Sequence, residues 1–481
     1  MRVWENLEPK AVFHFFEDIC GIPHGSGNTA QISAYLQQFA SDRGIWYRTD
    51  ALGNVVMRKP ASKGYEDVPG LVLQGHMDMV AVKTADCGKD MEKEGLDPAI
   101  EGDYVYAVNT SLGGDDGIAV AYGLALLDDE SILHPQLELI VTVDEETGMF
   151  GADALDMSDI TGRRFLNLDS EEEGFFLTGC AGGRRLKAEV NRTLQTVHGR
   201  QITITVAGLK GGHSGAEIHK ERGNAVLLLG RVLAAVLRET ALSLVSISGG
   251  TAENVIPSQA QAVLVCPEPE KVQPAVDRVY ADLRQEYEIR DPQVQIEVTI
   301  QSADGEYQAD SPEDTAHFIT LLKALPTGVQ AMSQSIPGMV ETSLNLGMIS
   351  SDEEEITLQY SIRSSLESAK YALSERVEAI FTLAGARVEA GSDYPGWAYR
   401  VDSPLRDKMV RVYEQMYGEK PQITTIHAGL ECGLFLGKCP DLDCVSIGPD
   451  MLDIHSTNEK LSISSTRRVW EYLLELLKDK A

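Results

Sequence analysis

The sequence is short of basic residues. Its 42 lysines and arginines face 73 aspartates and glutamates, a formal charge of -31, which repels nucleic-acid phosphates and the anionic face of a membrane. Nucleic acid and membrane are therefore excluded as partners, and small molecules, peptides or cations remain. Long apolar runs are also missing: the longest, Ala225 to Leu237, is interrupted by Arg231 and falls short of the ~20 residues that a spanning helix requires. The opening MRVWENLEPK has no basic stretch leading into an apolar one, so no secretory leader is read there. The seven cysteines include no C-x-x-C pair, which argues against a structural zinc finger and suits unpaired thiols in a reducing cytoplasm. Glycine and proline are scattered rather than gathered into linkers.

What is present is a globular chain, 43% apolar and 481 residues long, enough for roughly two to three domains. Its first half alternates helical and strand patterns, the mark of an α/β layer architecture. Ile32, Tyr35, Leu36 and Phe39 recur at helical spacing, with Asn28 or Thr29 placed to cap the start. Trp46 to Thr49 and Val55 to Met57 flank Leu52-Gly53-Asn54, a hairpin signal. Leu71 to Gln74, Leu137 to Val143 and Phe165 to Leu168 are short apolar runs of the kind that form buried strands. Each of these three runs leads into acidic or imidazole groups: His76 and Asp78, then Asp144 to Glu146, then Asp169. Ligands of open α/β sheets bind outside the carboxyl ends of the strands, so chemistry is expected there.

From about Cys180 to Ser392 the pattern changes to alternating strands and helices with few clustered acids. We read this as an inserted domain, 189–392, between two parts of a catalytic domain, 1–188 and 393–481. The insert holds a helix from about Asn224 to Leu237 and another near Val272 to Tyr287. Its second part, from about Val294, repeats the succession of elements, as two related halves would.

Imidazoles and carboxylates without thiolates suit zinc, cobalt or manganese, and a two-metal site needs a shared carboxylate with terminal ligands on either side. GHMDM at 75–79 sets His76 and Asp78 on one face of a strand end, where Asp78 can orient His76. SLGGDDGIAVA at 111–121 is a glycine-rich turn entering a helix. DEETGMFGA at 144–152 places consecutive acids that repel unless a cation or proton lies between them. NLDSEEEG at 167–174 and DIHSTNE at 453–459 add Asp169 and His455. Each segment has an ordinary explanation when taken alone: a local hydrogen bond, a helix cap at Asp115 or Asp116, a solvated acidic loop, a structural histidine. All five would have to be ordinary at once, at segment ends that share one sheet edge.

Together with GGHSG at 211–215, ENVIP at 253–257 and HAGLECG at 427–433, these motifs resemble the aminoacyl-histidine dipeptidases. That branch belongs to a metallopeptidase family that also contains carboxypeptidase G-type enzymes and aminoacylases. The resemblance runs from near residue 14 to the C-terminus. It implies a mixed-sheet α/β zinc-exopeptidase domain with helices on both faces and an inserted α+β lid. By similarity His76, Asp115 and Asp169 hold one metal and Asp115, Glu146 and His455 the other, with zinc expected and cobalt or manganese able to substitute. Asp78 is implied as the orienting acid, and Glu145 as the general base toward a metal-bridged hydroxide that cleaves a dipeptide. His213 matches the family's oxyanion-binding histidine, and Asn254 and Arg363 its substrate contacts, the arginine facing a carboxylate. His219 and the segment around Glu431 are further pocket candidates. One departure is Asp116, where this branch often has Asn; relatives carry a cis peptide between it and the bridging Asp. The resemblance implies a cytoplasmic enzyme and a homodimer through the lid. An N-acyl amino acid amidohydrolase, a carboxypeptidase or a non-catalytic binding relative are the competing readings, the last weakened by retention of Glu145 and the full ligand set.

Overall fold

A computed structural model describes residues 2–481. The chain forms two compact units: Met1–Gly179 with Tyr399–Thr425 and Leu430–Ala481, and Cys180–Ala398 with Ile426–Gly429. The expected boundaries at 188 and 392 fall inside the strands Gly182–Asn191 and Arg387–Tyr394. Those strands pair with each other along Arg387↔Glu189 to Gly391↔Arg185, so both belong to the second unit.

The first unit is built on an eight-stranded sheet. Its order is Trp46–Thr49, Val55–Lys59, Leu137–Thr142, Leu71–His76, Arg164–Asn167, Asp443–Ser446, Phe175–Cys180, Gln422–Ile426. The middle four strands are mutually parallel, and the expected hairpin from Trp46 forms the antiparallel edge. Every residue of Leu71–His76 and Leu137–Thr142 is buried, because both faces are covered and an unbroken apolar run fits that position. Leu71 and Leu73 join the core formed with helices Lys10–Cys20, Ala30–Arg43, Gly114–Asp128 and Ile463–Lys478. On the opposite face Phe165 packs on Phe435 of helix Glu431–Lys438, ring centroids 5.1 Å apart. A small four-stranded sheet orders Met451–Leu452, Lys460–Ser462, Tyr104–Ala107 and Pro98–Glu101. The cap expected for Ala30–Arg43 is Thr29 by position, but its side chain makes no capping bond.

The second unit carries a ten-stranded antiparallel sheet. Helices Ala225–Leu237, Val272–Glu286, Pro312–Ala324 and Glu367–Leu383 share its apolar core. Inward-facing Ile202, Ile204 and Val206 alternate along Gln195–Ala207 in the period-two pattern of a sheet with one covered face. Asn224 caps the first of these helices by accepting from the backbone of Val226 and Leu227. Among the described residues, no helix is long and apolar enough to cross a membrane.

Candidate metal centre

Three parallel strands deliver the acids. His76 is the last residue of its strand, while Glu145 and Glu146 follow Leu137–Thr142 and Asp169 follows Arg164–Asn167. Asp115 arrives from a turn that glycine makes passable: Gly113 has φ +68°, and a Cβ there would stand 2.9 Å from Met79 Sδ. Asp115 and Asp116 have non-helical backbone, and neither caps the helix that follows. The peptide between them is cis.

The Asp115 carboxylate is divided between two imidazoles. Oδ1 stands 3.0 Å from His76 Nε2 and Oδ2 3.1 Å from His455 Nε2. Asp169 Oδ1 adds a second carboxylate 3.5 Å from His76 Nε2, and Glu146 Oε1 a second one 2.8 Å from His455 Nε2. The two expected ligand trios therefore meet on Asp115. Of the expected trios, Asp115, Glu146 and His455 have ligand atoms close enough to share one ion, whereas His76 and Asp169 group with Asp116 rather than Asp115, and His76 groups as well with Glu145 and Glu146. Asp116 enters this neighbourhood with a backbone role as well, since its Oδ2 accepts the N–H of His76 at 3.1 Å.

Asp78 meets His76 chiefly through its backbone. His76 Nδ1 donates to the backbone carbonyl of Asp78 at 2.9 Å, and the Asp78 carboxylate lies further off, at 3.5 Å. That carboxylate instead accepts the amides of Glu145 at 3.0 Å and Glu146 at 3.4 Å, together with the Ser26 hydroxyl at 2.8 Å. It holds the loop that carries the two glutamates.

The donor set fits divalent cations. With Nδ1–H committed to the Asp78 carbonyl, His76 turns Nε2 toward two carboxylates, which calls for positive charge between them: a cation, or the proton that, against the opposing effect of burial, Asp115, Asp169 and Asp78 hold on the ring. Glu146 Oε1 is buried 2.8 Å from His455 Nε2, and no other donor reaches it. Without such charge the protons redistribute. Burial pushes Asp169 up to about 7 and Glu145 well above the usual carboxylate range, reinforced in each case by neighbouring acids. Hydrogen bonds to Asp115 and Glu146 push His455 up to about 10. Asp115 is held low: burial opposes this, but its bonds to His455 and His76 outweigh it.

In the second unit, His213 lies beside Arg363 and beside the backbone of Asn254. The bridge Gly212↔Ile256 and His213↔Val255 sets His213 beside the ENVIP segment, and Asn254 accepts the Ser214 amide at 2.8 Å. His213 Nδ1 accepts the Ala216 amide at 3.0 Å, which leaves Nε2 to carry the proton in the neutral ring. Arg363 is 8% exposed; it donates from Nη1 to the Tyr394 hydroxyl at 3.0 Å, while its Nε has no partner. His427, bonded through Nε2 to Ser343 at 2.7 Å, is lowered to about 3 by burial and by Arg363, His213 and His219.

Residues 72–479 match the group described as peptidase family M20/M25/M40. The chain belongs to that family. It is 37% identical to the cytosol non-specific dipeptidase of Escherichia coli (strain K12) over 482 aligned residues, 100% of this chain and 99% of that protein. The crystal structure of aminoacylhistidine dipeptidase from Vibrio alginolyticus is similar at TM-score 0.94 and 37% identity, covering 99% of this chain and 98% of that one. Aminopeptidase PepT from Bacillus cereus ATCC 10987 shares the fold at TM-score 0.57 and 17% identity, over 98% of this chain and 99% of its own.

In this M20/M25/M40 peptidase two acids support the centre from behind: Glu459, which the sequence reading missed, and Glu431, which it gave only as a pocket candidate. Glu459 accepts the backbone N–H groups of Leu112, Gly113 and Gly114 at 2.9, 3.2 and 2.8 Å. Glu431 bonds Gln74 and Thr142 in the interior of the sheet. The only signal available for either was a place in a motif, DIHSTNE or HAGLECG, since their partners lie hundreds of positions away.

Proposed function

We propose that this chain is a cytoplasmic two-metal dipeptidase that hydrolyses unblocked dipeptides, including those with C-terminal histidine. The observation that carries the reading is the Asp115 carboxylate facing His76 and His455 with one oxygen each, as a bridging ligand would. His76, Asp115 and Asp169 would hold one ion, and Asp115, Glu146 and His455 the other. Zinc is the assigned metal, with cobalt or manganese able to replace it. When bound, the ions would polarise the scissile carbonyl and make a water acidic enough to ionise near neutral pH.

The remaining work falls to the chain's own groups. Asp78 holds the backbone of Glu145 and Glu146, so the base is presented on a fixed loop. Glu145 takes one proton from the attacking water as its oxygen bonds to the carbonyl carbon. The C–N bond then breaks, and Glu145 passes that proton to the departing amine. Arg363, with its Nε free, suits the carboxylate of a peptide, and neutral His213 offers an N–H donor to a developing oxyanion. Assembly as a homodimer through the second unit belongs to the same proposal and is read by sedimentation velocity.

The test is amino-acid release from a panel of free dipeptides, Xaa-His and β-Ala-His among them, beside their N-acylated counterparts, using protein stripped of metal and reloaded with zinc. Zinc-dependent cleavage of the free dipeptides supports the reading. Cleavage confined to the N-acylated set transfers the chain to amidohydrolase chemistry, and no turnover by fully loaded protein defeats the enzymatic reading.

A further inference from the structure

A buried hydrogen-bond chain runs behind the strand ends and takes no part in the chemistry above. Glu431, the first residue of helix Glu431–Lys438, accepts with Oε2 from Gln74 Nε2 at 2.5 Å and from the Thr142 hydroxyl at 2.8 Å. Gln74 Oε1 accepts in turn from Asn167 Nδ2 at 2.7 Å, and Asn167 Oδ1 faces the amide of Asp169 at 3.4 Å. Glu431, Gln74, Thr142 and Asn167 are all 0% exposed. Gln74, Thr142 and Asn167 lie one on each of the three parallel strands that carry the centre: Gln74 and Asn167 are register partners, as are His76 and Thr142.

The direction of this chain is set at one end. Amide groups can turn over, and a hydroxyl can rotate, but Glu431 Oε2 accepts from both of its neighbours, and because burial pushes the acid up to about 8, any proton it carries is left to the unpartnered Oε1. Glu431 therefore fixes the Gln74 amide nitrogen toward itself, which leaves Gln74 Oε1 for Asn167. Gln74 and His76 are two apart on one strand, and Asn167 and Asp169 two apart along the next, so each pair shares a face. Groups that hold metal ligands in orientation are themselves held by outer hydrogen bonds, and here one buried acid serves three segments.

We propose that Glu431 is a positioning residue for the metal centre, acting through Gln74, Thr142 and Asn167 on the strand ends that bear His76, Glu145, Glu146 and Asp169. The proposal rests on the two-metal reading above. Its ligand is the metal pair, and its effect is the spacing of the groups that hold it.

The test compares Glu431→Leu, Glu431→Gln and Gln74→Leu in the full chain, with cobalt(II) titrated into metal-free protein and followed by its visible spectrum. The kcat and KM for a dipeptide are then measured at saturating zinc. Glu431→Leu is expected to weaken cobalt affinity and lower kcat, each by about 10–100-fold, with KM little changed and an altered cobalt spectrum. Gln74→Leu should reproduce that signature, and Glu431→Gln, which keeps an acceptor oxygen, should recover most of the loss. Wild-type cobalt affinity and spectrum in a folded Glu431→Leu protein would overturn the proposal, and so would a Gln74→Leu protein with an undisturbed centre. Should Glu431→Leu fail to fold, Gln74→Leu carries the same decision. A wild type that binds cobalt but cleaves no dipeptide defeats the functional reading alone, because the cobalt titrations still judge Glu431.

Discussion

Glu459 accepts the backbone N–H of Gly114 at 2.8 Å across 345 positions of sequence. The turn that presents Asp115 is thereby held by the segment that presents His455, four residues before Glu459. Two more amides, of Leu112 and Gly113, end on the same carboxylate, which is 3% exposed. In Glu459→Ala three buried donors lose their acceptor, an expected cost of about 3 kcal/mol or more. Urea unfolding of metal-free protein measures it, and zinc affinity should fall alongside by about 10–100-fold. A stable variant with unchanged zinc affinity would show that the turn holds itself.

Much of the centre is readable in the sequence because parallel buried strands are written as unbroken apolar runs. Leu71 to Gln74 and Leu137 to Val143 mark where the chain must cross the interior, and the polar residues that follow them must lie at the sheet edge. The strand from Leu71 runs two residues further than its apolar run, so His76 belongs to the sheet itself. What is not readable depends on distant partners. Nothing local says that the Asp78 carboxylate turns to Ser26 and the Glu145 amide while its carbonyl takes the His76 proton. The expected boundary at 188 likewise cuts through Gly182–Asn191, whose partners Glu355–Ser364 and Arg387–Tyr394 lie far along the chain.

The position of Asp78 distinguishes its two possible contributions. In Asp78→Asn one carboxylate oxygen becomes an N–H₂ group facing donors, so the Glu145–Glu146 loop loses an acceptor while the carbonyl bond to His76 Nδ1 remains. The kcat should fall about 10–100-fold with zinc content little changed. Ser26→Ala removes one of the carboxylate's three donors and should cost less. Comparison of metal content with kcat in both variants checks this, and parallel loss of zinc and turnover would show that Asp78 acts chiefly on His76.

His427 makes stability depend on acid. Its folded value of about 3 lies below the ordinary 6.5, through burial first and then the positive surroundings of Arg363, His213 and His219. Between these values the unfolded chain binds a proton that the folded chain refuses, so this contribution to stability falls as pH drops below 6.5. The wild type should lose about 1.4 kcal/mol more per pH unit than His427→Gln across that window. Urea unfolding of both proteins at pH 5.5, 6.5 and 7.5 provides the comparison, and parallel curves would contradict it.

The most direct measurement is metal content and dipeptide turnover on the same preparations of wild type and Glu145→Ala, each stripped and reloaded with zinc. About two zinc ions per chain in both proteins is expected, with turnover in the wild type and a loss of at least about 100-fold in the variant. Full turnover by Glu145→Ala, or a wild type that holds a single ion at full activity, would contradict a two-metal centre served by Glu145.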